Sequence, residues 1–93
     1  MDATERTQLV NLVEHEVFSA ADRLTAADPS FCGCTKCLID VAALALSNIP
    51  PVYATSAEGR ELALGRVEAE GARAQITDQV MQAISAVRQQ PRH

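Results

Sequence analysis

Tryptophan is absent from this sequence, and aromatic residues, lysine and cysteine are scarce. The aromatic residues are Phe18, Phe31 and Tyr53, so a hydrophobic core must be built mainly from Ala, Val, Leu and Ile. Seven of the eight cationic residues are arginine, and the formal net charge is −4. This charge argues against general nucleic-acid binding, which depends on a positive surface that releases counterions.

Length sets a second limit on what the chain can form. The 93 residues are enough for one small domain, predicted over residues 1–93, with a polar tail at 89–93 that is expected to fray. A domain of this size has a small core, and such domains often gain stability from a bound metal or a second subunit.

Long apolar runs are missing as well. The longest, residues 41–46, is far too short to cross a bilayer, and no secretory signal is recognised. The cysteine count is odd, at three. Both features predict a cytoplasmic protein in a reducing compartment, where cysteines are thiols or metal ligands and not disulfides.

Three main helices are predicted. The first begins near Asp2 or Thr4, where Asp2 and Glu5 suggest a capping box, and runs to Leu24 with one apolar stripe. The second begins at residue 36 or 37 after Thr35 as cap, and ends near Asn48. Because it is apolar on nearly every face, we expect it to be buried at the centre.

The double proline Pro50-Pro51 ends the second helix and imposes an extended path, with a possible short strand at residues 52–54. The last helix is predicted over residues 58–89, with a stripe rich in Gly and Ala along one face. Gly71 is its weakest point, where a break or kink is possible. The predicted fold is therefore all-α, with an extended Pro-Pro segment between the second and third helices.

Cys32-x-Cys34-x-x-Cys37 is the sharpest chemical motif. Three thiolates that converge at a helix N-terminus suit zinc, which prefers a tetrahedron of soft ligands. His15, His93, Asp40 or a water are the candidates for the fourth ligand. Unligated thiols and a redox dithiol are the alternatives, and no histidine is placed to make a cysteine catalytic, so an enzyme is not predicted.

Other polar residues carry weaker signals. Arg66 and Arg73, seven residues apart on one predicted helix, can clamp an anion or form ion pairs with Glu70 between them. Tyr53 beside the two prolines is either a stacking platform or a half-buried core residue. Carboxylate pairs such as Glu14 and Glu16 are interpreted as solvated helix faces.

The central stretch resembles the late-competence ComFB family. The matching residues are Cys34-Thr35-Lys36-Cys37, Asp40-Val41-x-Ala43-Leu44-Ala45-Leu46-x-Asn48 and Pro50-Pro51-x-Tyr53, with a looser likeness near both ends of the chain. The resemblance implies a small helical homodimer without catalytic activity that binds the second messenger cyclic di-GMP. Members pass the level of this messenger on to motility, competence or cell-size control, and some hold zinc through four cysteines.

Cyclic di-GMP carries two phosphates and two guanines, whose edges suit arginine forks and carboxylates and whose faces stack on flat side chains. The resemblance and this chemistry predict a set of ligand-binding residues: Arg60, Arg66, Arg73, Tyr53, Asn48, Asp40, Thr55 and Lys36. The predicted metal ligands are Cys32, Cys34 and Cys37. An unidentified protein effector is the expected partner, with neither nucleic acid nor membrane bound. The alternative function is a zinc-stabilised protein–protein adaptor that binds no nucleotide.

Overall fold

The computed structural model describes residues 8–91, and these form four α-helices and one two-stranded antiparallel sheet. In chain order the elements are β1 (Val10–Asn11), α1 (Leu12–Ala26), α2 (Thr35–Leu46), β2 (Tyr53–Ala54), α3 (Ala57–Glu68) and α4 (Glu70–Gln89). The mainly helical fold is confirmed, and so is the short strand that follows the double proline. The prediction of three main helices is wrong by one.

The extra helix arises because the predicted last helix is broken. Ala69, between α3 and α4, has φ −57° and ψ 143°, which are extended values outside the α-helical region. Gly71, the predicted weak point, lies instead within the first turn of α4. The break redirects the chain, so residues on either side of it no longer share one helical face.

The apolar stripe predicted along that helix is divided by the break. Its second half, including Ile76 and Val80, is buried in the core. Its first half is not, because Leu62 is 77% exposed and Gly65 has open space around its Cα. The outer face of α3 therefore combines the exposed Leu62 with charged residues such as Glu61.

Helices α1, α2 and α4 pack against one another and enclose the core. Its fully buried side chains are small, as the scarcity of aromatic residues requires; the largest are Val17, Val41, Val67, Val80 and Cys37. Helix α3 lies against α1 and α4 and contributes Ala63 and Val67. One contiguous cluster joins all four helices.

Helix α2 is covered on one side only. Val41, Ala42 and Ala45 are buried, whereas Ile39 is 53% exposed and Leu44 is also at the surface. The prediction that this helix is buried on nearly every face is therefore wrong. Two helices are enough to cover one face of a third, and the other apolar face of α2 remains exposed.

The start of α1 is fixed by Asn11. Its side-chain oxygen accepts hydrogen bonds from the amide of Val13, 3.2 Å away, and from the amide of Val52, 3.0 Å away. The Leu12 amide donates to the Val52 carbonyl at 2.9 Å. These bonds attach the chain that follows the double proline to the first turn of α1. The capping box predicted at Asp2 lies outside the described residues.

Among the helices of residues 8–91, none has both the length and the apolar character required to span a membrane.

Candidate functional site

The three cysteines converge at the N-terminus of α2. Their sulfur atoms all lie within 4.8 Å of one another, and the Cys32 and Cys34 sulfurs are 3.6 Å apart. Gly33 makes this possible because its φ of +75° folds the chain back, a conformation that side-chain-bearing residues rarely adopt. None of the three cysteines is in a disulfide.

Cys34 also acts as the N-cap of α2, in place of the predicted cap Thr35. Its sulfur accepts a hydrogen bond from the amide of Cys37 at 3.4 Å. The hydrogen bond from the Cys37 amide has the largest effect on the pKa of the Cys34 thiol, and it lowers this pKa. A hydrogen bond with the Cys37 side chain lowers it further, whereas burial opposes both. A thiolate is therefore favoured at this helix end, as metal binding requires.

The sulfur geometry fits a tetrahedral metal ion on three of its corners. Thiolates at about 2.3 Å from zinc lie about 3.8 Å from one another, which is close to the 3.6 Å between the Cys32 and Cys34 sulfurs. Within residues 8–91, no histidine or carboxylate joins the three sulfurs as a fourth ligand. His15 lies elsewhere on α1, Asp40 is not part of the group, and His93 is outside the described residues.

A groove of about 640 Å³ lies between the start of α1 and helix α3. We call it the α1–α3 groove. Its lining combines apolar, aromatic and charged side chains: Leu9, Val10, Asn11, Leu12, Glu14, His15, Phe18 and Arg60. Of the arginines predicted to bind a ligand, Arg60 is the one that faces this groove.

Tyr53 lies beside the α1–α3 groove. It pairs with Asn11 across the two-stranded sheet, and Asn11 lines the groove. The ring is 62% exposed, so the alternative of a half-buried core residue is not what the structure shows. An exposed aromatic ring at the edge of a groove can stack on the face of a flat ligand.

Arg66 and Arg73 lie on different helices and line different cavities. Arg66 lines a small cavity of about 140 Å³ near Pro50 and the start of α4. Arg73 lines another, of about 310 Å³, together with Arg23 and Glu16 of α1. In one chain, therefore, the three predicted arginines look into three separate cavities.

The remaining predicted ligand-binding residues are dispersed. Asn48 is at the end of α2, where its side-chain amide donates to the Leu44 carbonyl at 2.9 Å. Asp40 lines a shallow cavity between α2 and the end of α4. Lys36 is exposed in the first turn of α2, and Thr55 is exposed just before Ser56, the residue that caps α3.

Glu14 and His15 are groove residues that the sequence reasoning assigned to a solvated helix face. In the structure they are exposed, and they line the same groove as Arg60. Phe18, four residues after Glu14, completes the same face of α1. No local signal in the sequence marked them as groove residues, because Arg60, on the other side of the groove, comes from another helix.

The family model described as late competence development protein ComFB matches residues 10–91. The match begins in β1 and ends just after α4, so it includes the cysteine cluster and every residue of the α1–α3 groove except Leu9. No curated protein sequence matches the chain.

Proposed function

The chain belongs to the ComFB family, and on that premise we propose that it is a non-enzymatic receptor that binds cyclic di-GMP and signals through a protein partner. The observation that carries this proposal is the α1–α3 groove within the family match, which joins a guanidinium, a carboxylate and flat rings in one cavity. Its volume of about 640 Å³ is in the range of small-molecule sites.

The ligand is expected at or near a dimer interface. Cyclic di-GMP is two-fold symmetric, so a two-fold dimer holds it with the same residues from each subunit. The predicted arginines of a single chain line separate cavities. We expect a second subunit to add its own arginines to the ligand site. The exposed Leu62 and the open space at Gly65 leave room for a second subunit against α3.

Calorimetric titration tests the receptor proposal directly. Cyclic di-GMP is expected to bind. Cyclic di-AMP is the control for the identity of the base, and GTP is the control for the cyclic dinucleotide backbone. Arg60→Met should weaken binding because it removes a guanidinium from the groove. Absence of heat and of any thermal shift with all three nucleotides would refute the proposal.

The second candidate is a zinc-stabilised adaptor that binds a protein and no nucleotide. The cysteine cluster favours a structural metal that fixes the start of α2. The exposed apolar residues Ile39 and Leu44 on the same helix favour a protein contact. In this function, zinc would be held by Cys32, Cys34 and Cys37.

Measuring the metal content of the purified protein tests zinc binding independently of nucleotide binding. Protein purified without a histidine tag is expected to contain close to one zinc per chain, and Cys34→Ser should lose it. A metal content near zero in the wild-type chain would rule out zinc but would leave the receptor proposal standing.

A further inference from the structure

Two opposite charges face the α1–α3 groove from its two sides. Glu14 projects from the first turn of α1 and Arg60 from α3, and both line the cavity. They do not neutralise each other, since the ion pair in the described part of the chain is the one between Arg88 and Asp28. Both charged groups are therefore available to a ligand in the groove.

Glu14 is not engaged by its own helix either. It is the third residue of α1 after the cap Asn11, the position from which a glutamate often reaches back to bond the cap amide. Within residues 8–91 its carboxylate makes no such hydrogen bond, and the Asn11 side chain already satisfies the Val13 amide. A carboxylate that serves neither the cap nor an ion pair is available to accept bonds from a ligand.

A flat surface lies on the same face of α1. His15 follows Glu14 directly, and Phe18 is one turn further along, with its ring partly exposed. A flat ligand that stacks here lies in the same groove as the Glu14 carboxylate and the Arg60 guanidinium. Such a site suits a planar base that carries hydrogen-bond donors and acceptors on different edges.

Guanine has this distribution of donors and acceptors. Its N1 and N2 hydrogens are adjacent donors, and its O6 and N7 atoms are adjacent acceptors. Adenine has an amino donor where guanine has the O6 acceptor, so a guanidinium finds a second donor there. Adenine N1 is an acceptor, so a carboxylate finds no hydrogen to accept. We propose that the α1–α3 groove is the guanine-reading subsite, in which Glu14 accepts from N1 and N2 and Arg60 donates to O6 and N7. This inference rests on the proposed function and adds Glu14 as the residue that sets base specificity.

The test compares cyclic di-GMP with cyclic di-IMP, whose base lacks the N2 amino group but keeps O6 and N7. The wild-type chain should bind cyclic di-IMP several-fold more weakly, since Glu14 loses one donor. Glu14→Gln should weaken cyclic di-GMP binding by about tenfold or more and reduce the difference between the two ligands. Arg60→Met should weaken both ligands by the same factor, because both keep the edge that it reads.

Glu61→Gln is the matched control. Glu61 is exposed on α3 next to Arg60 but is not among the residues that line the groove. The variant should therefore bind cyclic di-GMP as tightly as the wild type does. If cyclic di-GMP binds the wild type and Glu14→Gln equally well, the subsite is overturned while the receptor function stands. If the wild type binds no cyclic dinucleotide, both proposals fall.

Discussion

Asn11 connects two distant parts of the chain, and its replacement by alanine should be more damaging than the loss of an ordinary helix cap. Its side-chain oxygen accepts hydrogen bonds from the amide of Val13, in the first turn of α1, and from the amide of Val52, forty-one residues away. Loss of an N-cap side chain costs about 1 kcal/mol. The partly buried Val52 amide then lacks its acceptor, which adds about 1 kcal/mol at the low end of such penalties.

The expected decrease in the free energy of unfolding is therefore about 2 kcal/mol, or a melting temperature lower by about 8–16 °C for a domain of this size. Urea denaturation followed by circular dichroism measures it. All variants are compared at one protein concentration, because association of subunits shifts apparent stability. Asn11→Asp keeps an acceptor for both amides and should remain close to the wild type.

Ser56→Ala is the matched control for a simple cap. The Ser56 hydroxyl accepts one bond, from the Gly59 amide at 3.0 Å, and lies at the surface. Its loss should cost about 1 kcal/mol or less. If Asn11→Ala destabilises the protein no more than Ser56→Ala does, the bond to Val52 contributes nothing and the reasoning is refuted.

Three further predictions concern the core, one ionised group and the outer face of α3. Val17→Ala removes two methyl groups from a fully buried site and should lower the free energy of unfolding by about 2 kcal/mol in urea denaturation; a change below about 0.5 kcal/mol would contradict tight packing there. Hydrogen bonds from Ser30, together with the nearby Arg88, lower the pKa of Asp28 in the folded protein. The ionised Asp28 therefore stabilises the folded state above the unfolded pKa of about 3.9, and this stabilisation is lost as the pH falls through the pKa of the folded state. The stability difference between wild type and Asp28→Asn should therefore shrink below about pH 4, and a difference that grows in acid would reverse the sign of this argument. The dimer proposed above predicts that Leu62→Glu leaves folding intact but decreases the dimer fraction in sedimentation velocity; a monomeric wild type, or a dimer fraction that Leu62→Glu leaves unchanged, would refute an interface at α3.

Local chemistry made the cysteine cluster predictable. The three cysteines lie within six residues, so spacing, a glycine hinge and the following helix determine where the sulfurs meet. The same is true of the strand after Pro50-Pro51, because two prolines restrict the backbone on their own. In both cases, the residues that decide the structure are neighbours in sequence.

Helix boundaries were less predictable because they depend on distant partners. The pattern of Leu9 and Val10 suits the helix that follows, yet Val10 pairs with Ala54 in the sheet. The break at Ala69 has no sequence signal, since alanine is the best helix former. Tertiary packing of α3 and α4 outweighs its propensity, whereas Gly71, with the poorer propensity, remains helical.

The α1–α3 groove shows why the candidate site was predicted only in part. Helical periodicity divides α1 into a buried and a solvated face, and it assigned Glu14 correctly to the solvated one. It carries no information on which solvated residues face another element. That depends on Arg60, which α3 brings to the groove from forty-six residues away. Arg60 and Tyr53 were predicted as ligand-binding residues because the family resemblance implied a ligand, whereas the place of Glu14 in the groove depends on the position of α3.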